Sequence, residues 1–398
     1  MKILFISECF PPHIKGGAEI STCLISKEIS KYHKVYVLTG RYHKKTWKIG
    51  NMEVFADLKK VSLEDKTKKG IVSFGLSILP STIINSKIIK DFVKKYKIDV
   101  IHIVPTTLYM IPSINALINL QKRINVDVRD LSLIYPPDNR KKRNIFRYFV
   151  FLYELFIFNV YSTKLKFLSN RYKKIRFIAL SNFIKEKLIK AGYPKEKIKV
   201  IKNISESSKI NFKTINKKNK LIFAGRLEKD KGIWDAIYAF ELLKDKNLVF
   251  EIAGKGSELK NIKDYMTKKN IKNIKLLGEL SNEKVLKLYS QSKIILGPSI
   301  VPEAFGRFIQ EGISTRTPVI ATRVGGIPEG IKDHETGLLV EPNNPGQLAK
   351  AIKELLTDKK LYNKIVKNLG KEAKKYSPEV IGKQRLKVYE ELLKDNKK

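Results

Sequence analysis

Glu303 and Glu311, in the stretch Ser299 to Gly326 (SIVPEAFGRFIQEGISTRTPVIATRVGG), are the residues whose type and spacing first suggest chemistry. Seven residues separate them, Phe305-Gly306 among these, and a short apolar run, Pro318 to Ala321, then Gly325-Gly326, follow. The stretch reads as loop, helix, buried strand and tight turn. Gly306 permits close backbone approach where the helix begins, and the free N–H groups of the first turn form an anion seat. A helix from Gly306 carries Glu311 roughly 7–8 Å further along, at about 1.5 Å per residue. That spacing suits a reach from a phosphate on the helix N-terminus to a ribose hydroxyl, with Glu303 on the other side, where a sugar would be. Taken alone, two glutamates read more simply as a capping carboxylate and an exposed helix charge. The surrounding string argues otherwise.

The order ExFG, a second Glu, PV and GG resembles the signature of the retaining glycosyltransferases of family 4, also called group 1 transferases, which use the two-domain GT-B fold. The resemblance covers most of the chain, specifically over 220–345 and more loosely over 1–200. It implies that Glu303 orients the donor sugar, that amides near Phe305 and Gly306 hold phosphate, and that Glu311 accepts from ribose. In FAGRLEKDKG, Arg226 and Lys231 at the end of a strand match the family's GR…KG motif. Arg brings a planar fork and Lys a point charge, a pair suited to neutralising a leaving diphosphate. Either could also be merely solvated in so basic a chain.

Nearer the start, PPHIKGGAEI resembles the family's Gly-rich loop, with Gly16 and Gly17 opening a helix toward phosphate or acceptor. His102, in DVIHIV, matches a position where family members often carry His. Where the family commonly has His-Asp, this chain has Arg129-Asp130. Arg cannot accept a proton, so here it suggests an anionic group on donor or acceptor. His102, Arg129 and Asp130 are thus the expected acceptor-side residues.

With 398 residues, two domains are the natural expectation. Cys9 and Cys23 are the only cysteines, which excludes a disulfide framework or a zinc spacing and suits a reducing cytoplasm. The opening MKILFIS is too short for a signal-peptide core and reads as a buried strand. A DxD motif, a P-loop and a nucleophile elbow are absent from the sequence, so metal-independent nucleotide binding is expected, with no cofactor. The net charge is +40, of which residues 1–202 carry +25 from 40 basic and 15 acidic side chains. Such an excess predicts a polyanionic partner. No nucleic-acid-binding module accompanies it, so nucleic acid is not expected and an anionic membrane surface fits better.

Strand-like and helix-like segments alternate along the chain, as in a doubly wound parallel sheet, and the pattern restarts near residue 220. Residues 41–80 are poorly periodic and read as loops with an edge strand. Residues 140–176 hold eleven basic side chains and one acid around YFVFLYELFIFNVY. That apolar run is shorter than the ~20 residues of a membrane span. It reads as a buried helix, or as one lying on anionic lipid, and the two coexist if one face is core. The expected organisation is 1–203, an acceptor-binding Rossmann-like domain; 204–219, a linker; 220–378, a nucleotide-sugar-binding Rossmann-like domain; and 379–398, a helix crossing back to the first. The two α/β domains are expected to face across a cleft.

Together these readings imply a retaining hexosyltransferase that moves sugar from a UDP- or GDP-sugar to a glycan or lipid-linked acceptor in cell-surface polysaccharide or glycolipid synthesis. It would be cytoplasmic and peripheral to the inner face of the plasma membrane. Two alternatives are a nucleotide-sugar epimerase of the same architecture and a non-catalytic basic polyanion-binding protein.

Overall fold

Apolar strands too continuous to expose either face, such as KILFI and KVYVLTG, force both sheets to be covered by helices. The computed structural model describes residues 1–13, 17–40, 45–59, 83–104, 110–135, 145–204 and 217–394. The chain forms two compact α/β units, Met1–Asn203 with Ile381–Lys398, and Ile204–Val380.

The first unit contains β1 (Lys2–Ile6), β2 (Lys34–Gly40), β3 (Thr46–Ile49), β4 (Met52–Leu58), β5 (Val100–Ile103), β6 (Arg123–Val128), β7 (Ile175–Ala179) and β8 (Ile198–Val200). They form one sheet in the order β3-β4-β2-β1-β5-β6-β7-β8. All pairs are parallel except the hairpin β3–β4. That hairpin, tied by Trp47 Nε1 donating to the Pro11 carbonyl, supplies two strands where a single edge strand was expected. Much of the remaining lysine-rich stretch, 60–82, lies outside the described residues. The helices are α1 (Gly17–Ile29), α2 (residues 83–96), α3 (Met110–Asn119), α4 (Ile145–Arg171) and α5 (Asn182–Lys190).

The second unit has β9 (Lys218–Ala224), β10 (Val249–Ala253), β11 (Ile274–Gly278), β12 (Ser292–Gly297), β13 (Val319–Thr322) and β14 (Gly337–Val340). Its sheet is wholly parallel, in the order β11-β10-β9-β12-β13-β14. The helices are α6 (Ile233–Leu243), α7 (Leu259–Lys268), α8 (Asn282–Gln291), α9 (Arg307–Thr315), α10 (Pro345–Thr357) and α11 (Lys359–Glu372). The direction of winding reverses between β9 and β12, where ligands of open sheets bind beyond the strand carboxyl ends.

Most of the expected linker, residues 205–216, lies outside the described residues. Its last residues belong to the second sheet, because Lys217 is built in before β9 starts at Lys218. Lys217 Nζ donates to the carbonyls of Ser290 and Ser292 and to Thr317 Oγ1, at 3.1, 3.2 and 2.6 Å. Its burial pushes the ammonium down to about 7.

α4 shows why a lysine-flanked aromatic run does not read as a simple amphipathic helix. Phe158, Ser162, Leu165 and Ser169, spaced three and four apart, face the core. Phe156, Val160 and Phe167 point outward, Phe156 being 64% and Phe167 54% exposed. The Arg171 guanidinium covers the Phe167 ring at 4.2 Å. No described helix is long and apolar enough to cross a membrane.

α12 (Pro378–Lys394) joins the first unit from Ile381 onward through a buried polar network. Asp127 Oδ2 accepts from Arg129 Nη2 at 2.7 Å, Arg385 Nη1 at 2.9 Å and His102 Nε2 at 3.3 Å. With Nε2 so used, His102 Nδ1 accepts from the Tyr389 hydroxyl at 2.6 Å, while its ring stacks on Phe5 at 4.4 Å. Burial alone would raise the Asp127 carboxyl, but the guanidiniums of Arg129 and Arg385 outweigh it and hold it well below the usual carboxylate range. Burial lowers His102 to about 4 despite the neighbouring carboxylate.

His102 therefore folds neutral. Between pH 6.5 and about 4 the unfolded chain takes up a proton that the folded chain refuses, so stability falls as pH falls. The slope is up to about 1.4 kcal/mol per pH unit from this group. In urea titrations of the full chain, His102→Gln flattens that acid limb. Asp127→Asn, which leaves two buried guanidiniums without their counter-charge, costs about 3–5 kcal/mol at neutral pH.

Candidate functional site

The second unit's site begins where β9 and β12 end. After Ala224 the chain runs through Arg226 into a single 3₁₀ turn, Lys229–Lys231, and Gly232 starts α6 with φ +67°. A Cβ at Gly232 would stand 1.7 Å from the Pro298 carbonyl oxygen, so only glycine lets the two loops lie this close. Ile300 N–H donating to the Asp230 carbonyl at 2.9 Å fastens them together.

That approach brings Lys231 Nζ to 3.0 Å from Glu303 Oε1. The Ser299 hydroxyl donates to the same oxygen. The Gly-Gly pair foreseen as a tight turn holds Glu303 from behind. Gly326 N–H donates to the Glu303 carbonyl at 2.7 Å, and a Cβ on Gly325 (φ +58°) would meet the Glu303 backbone nitrogen at 2.6 Å. The acid is thus clamped through its own main chain.

Gly306, with φ +86°, caps α9 as expected of the residue opening that helix. Phe305 is buried against Tyr376 with ring centroids 6.3 Å apart, so its side chain is core. Glu311 lies one turn into α9, where Arg307 Nε donates to its Oε1 at 2.6 Å. Arg226 is not drawn into this cluster. Its side chain is 65% exposed and reaches Asp230 Oδ2 at 3.4 Å.

The first-unit residues do not form one site. Gly16 lies outside the described residues, and Gly17 is the first residue of α1. His102 does not stand at an accessible strand end. It is the third residue of β5, fully buried, because Phe5, Tyr389 and Asp127 enclose its ring. Arg129 is buried too, its guanidinium engaged by Asp127 and by the Ala18 carbonyl at 2.6 Å in the first turn of α1. Asp130 is exposed and accepts from Ser132 N–H at 2.9 Å, a local turn.

Sequence reasoning missed Arg307, Asp127, Arg385 and Tyr389. For Asp127, Arg385 and Tyr389 the signals were present: Asp127 and Arg129 are two apart at the end of a strand, and Arg385 and Tyr389 four apart on one helix, so each pair shares a face. Among the described residues there is no group of three or more His, Cys, Asp or Glu that could hold a metal ion.

Comparison with known proteins follows the same division. Residues 204–373 match the family model of the glycosyl transferases group 1. An uncharacterised glycosyltransferase of Methanocaldococcus jannaschii is 38% identical over 172 residues, 43% of this chain and 48% of that protein. The capsular polysaccharide biosynthesis glycosyltransferase CapM of Staphylococcus aureus is 27% identical, over 55% of this chain and 62% of its own length. The chain spans about half to three fifths of the length of the first curated relatives it matches. Solved structures share the fold across nearly the whole chain. Sucrose-phosphate synthase of Thermosynechococcus elongatus superposes with a TM-score of 0.75 at 18% identity, covering 99% of both chains. Anabaena HepE in complex with UDP-glucose gives 0.71 at 19% identity, covering 98% of this chain and 99% of its own. The fold is that of the GT-B glycosyltransferases.

Contact rather than conformation makes Gly232 irreplaceable, and Gly278 separates the two effects. Gly278 has φ +70° but open space where a Cβ would go. Gly278→Ala costs about 1–2 kcal/mol from the left-handed backbone alone. Gly232→Ala costs at least about 2 kcal/mol more, read as the difference in urea midpoints of the second unit's transition.

Proposed function

We propose that this chain, whose residues 204–373 match the group 1 glycosyl transferases, moves a sugar from a nucleoside diphosphate donor to an acceptor. The observation that carries the reading is the Lys231–Glu303 pair, held beyond the carboxyl ends of β9 and β12 by the Gly232 and Gly325 contacts. Without a donor each of these charges satisfies the other. A bound diphosphate gives Lys231 a second anion, and the released Glu303 carboxylate then accepts from a sugar hydroxyl. Arg226, exposed and on the same loop, adds a mobile cation beside the departing phosphates. Catalysis is then charge stabilisation and positioning, with the leaving phosphate taking the acceptor's proton and the anomeric configuration retained.

The donor is a UDP- or GDP-sugar, held without a metal by the α9 N-terminus at Phe305-Gly306 and by Glu311. UDP-glucose bound to HepE, at the same fold, supports the uridine choice. A glycan or lipid-linked acceptor is in keeping with the capsular role in CapM's name, and is held mainly by the first unit. There Arg129 acts indirectly, ordering the first turn of α1 at the Ala18 carbonyl instead of touching the acceptor. Lys231→Ala and Glu303→Ala each leave the melting curve nearly unchanged and remove most transfer, by at least about 100-fold. Activity is followed as nucleoside diphosphate release with the lipid-linked acceptor. Wild-type rates in either variant would overturn the assignment, and an epimerised free donor sugar would favour the epimerase reading.

The enzyme works at the surface of an anionic membrane, through the outward face of α4. Phe156, Val160 and Phe167 lie on one stripe, with Lys164 and Arg171 beside it. Aromatic side chains beside cations suit the headgroup boundary, and each cation near anionic lipid adds about 1 kcal/mol. Co-sedimentation with vesicles of phosphatidylglycerol and phosphatidylcholine at low salt is expected, and Phe156→Ser with Phe167→Ser abolishes it. An unbound wild-type chain in that assay would remove the membrane from the proposal.

A further inference from the structure

We infer that Arg307 is a positioning residue for the nucleotide: it fixes the Glu311 carboxylate by one oxygen and leaves the other aimed for a ribose hydroxyl. The inference rests on the nucleotide-sugar reading above and deepens it at the same site.

Arg307 is the first residue of α9, and among the described residues its guanidinium bridges two partners. Nε donates to Glu311 Oε1 at 2.6 Å, and Nη2 donates to Asn282 Oδ1 at 3.2 Å. Asn282 is the first residue of α8, so the guanidinium joins the starts of two helices. Glu311 Oε2 accepts nothing from the described residues. Arg307, Glu311, Gln310 and Asn282 line one recess between these helices. Close by, the buried Tyr289 hydroxyl has no partner among the described residues.

Helix stability does not explain this arginine. A cation in the first turn opposes the helix dipole. The pair also runs in the weaker direction, base before acid at i,i+4. A residue that breaks two local rules at the start of a site-forming helix is where function is expected to override propensity. The function that fits is geometric. The rigid fork of Arg holds both Glu311 and Asn282, which a lysine ammonium cannot match. A carboxylate with one oxygen immobilised presents the other in a single direction.

Discrimination between ribose and deoxyribose tests this, because a merely structural role would leave that ratio unmoved. Wild type, Arg307→Met and Arg307→Lys are titrated calorimetrically with UDP, GDP and ADP and with the 2′- and 3′-deoxy analogues of whichever binds. The wild type is expected to prefer the ribonucleotide by about tenfold or more over the analogue lacking the hydroxyl that Glu311 accepts from. Arg307→Met loses most of that preference while keeping residual diphosphate binding, and Arg307→Lys keeps part of it. If Arg307→Met fails to fold by its melting curve, Arg307→Lys decides alone, since an undiminished ratio there overturns the inference. Equal ratios in wild type and Arg307→Met, or no discrimination in the wild type, overturn it and leave nucleotide binding standing. Failure of the wild type to bind any of the three ribonucleotides overturns the nucleotide-sugar reading itself.

Discussion

The second unit depends on one close contact, the approach of the loop after β9 to the loop after β12 at Gly232 and Pro298. The Lys231–Glu303 pair follows from that spacing. The same spacing sets Asp230 against Ile300 and brings Lys231 within hydrogen-bonding distance of Glu303. A one-carbon side chain at residue 232 would have to push the loops apart by more than an ångström, because 1.7 Å is about half of an ordinary contact. The site is therefore a consequence of backbone packing at the strand ends. The side chains need only be the right types once the loops are there.

The first unit is organised by a different constraint, a single buried carboxylate. Asp127 lies inside the sheet, and one of its oxygens receives Arg129, Arg385 and His102. A buried charge is tolerable only when its counter-charges are held in place. Here they come from Arg129, just past the end of β6, and from a helix more than 250 residues later in the chain. The same oxygen thus anchors the last helix to the sheet and, through Arg129, orders the first turn of α1. What looks in the sequence like a departure from the family's His-Asp pair is in the structure a counter-ion for the residue two positions before it.

The alternating strands and helices, the restart near residue 220, and the loop-helix-strand-turn order of the central block could all be read from local sequence. Each is a short-range pattern: continuous apolar runs, periodicity, and glycines at turns. Lys231 and Glu303 were legible as a motif, though their contact was not, since it spans 72 residues and depends on Gly232. His102 was misplaced for a related reason. Strand periodicity gives the face a residue occupies but not what covers that face, and Tyr389, 287 residues away, covers this one. Arg307 was passed over because an exposed-looking arginine at a helix start carries no signal until its partner in the preceding helix is seen.

The charges of the second unit's site form three pairs, Lys231 with Glu303, Arg307 with Glu311, and Arg226 with Asp230. In a chain of net charge +40 that local neutrality is informative. Cations gathered for a diphosphate would repel one another through the unliganded state, and nearby acids remove the repulsion at small cost while the pairs stay partly solvated. An arriving diphosphate need not create a positive site, since it competes for cations already oriented. The excess charge elsewhere on the chain supplies the long-range attraction, falling off over about 8–10 Å at physiological salt. Recognition and steering are then separate properties: the paired residues set what binds, and the lysine-rich surface sets how fast an anion arrives.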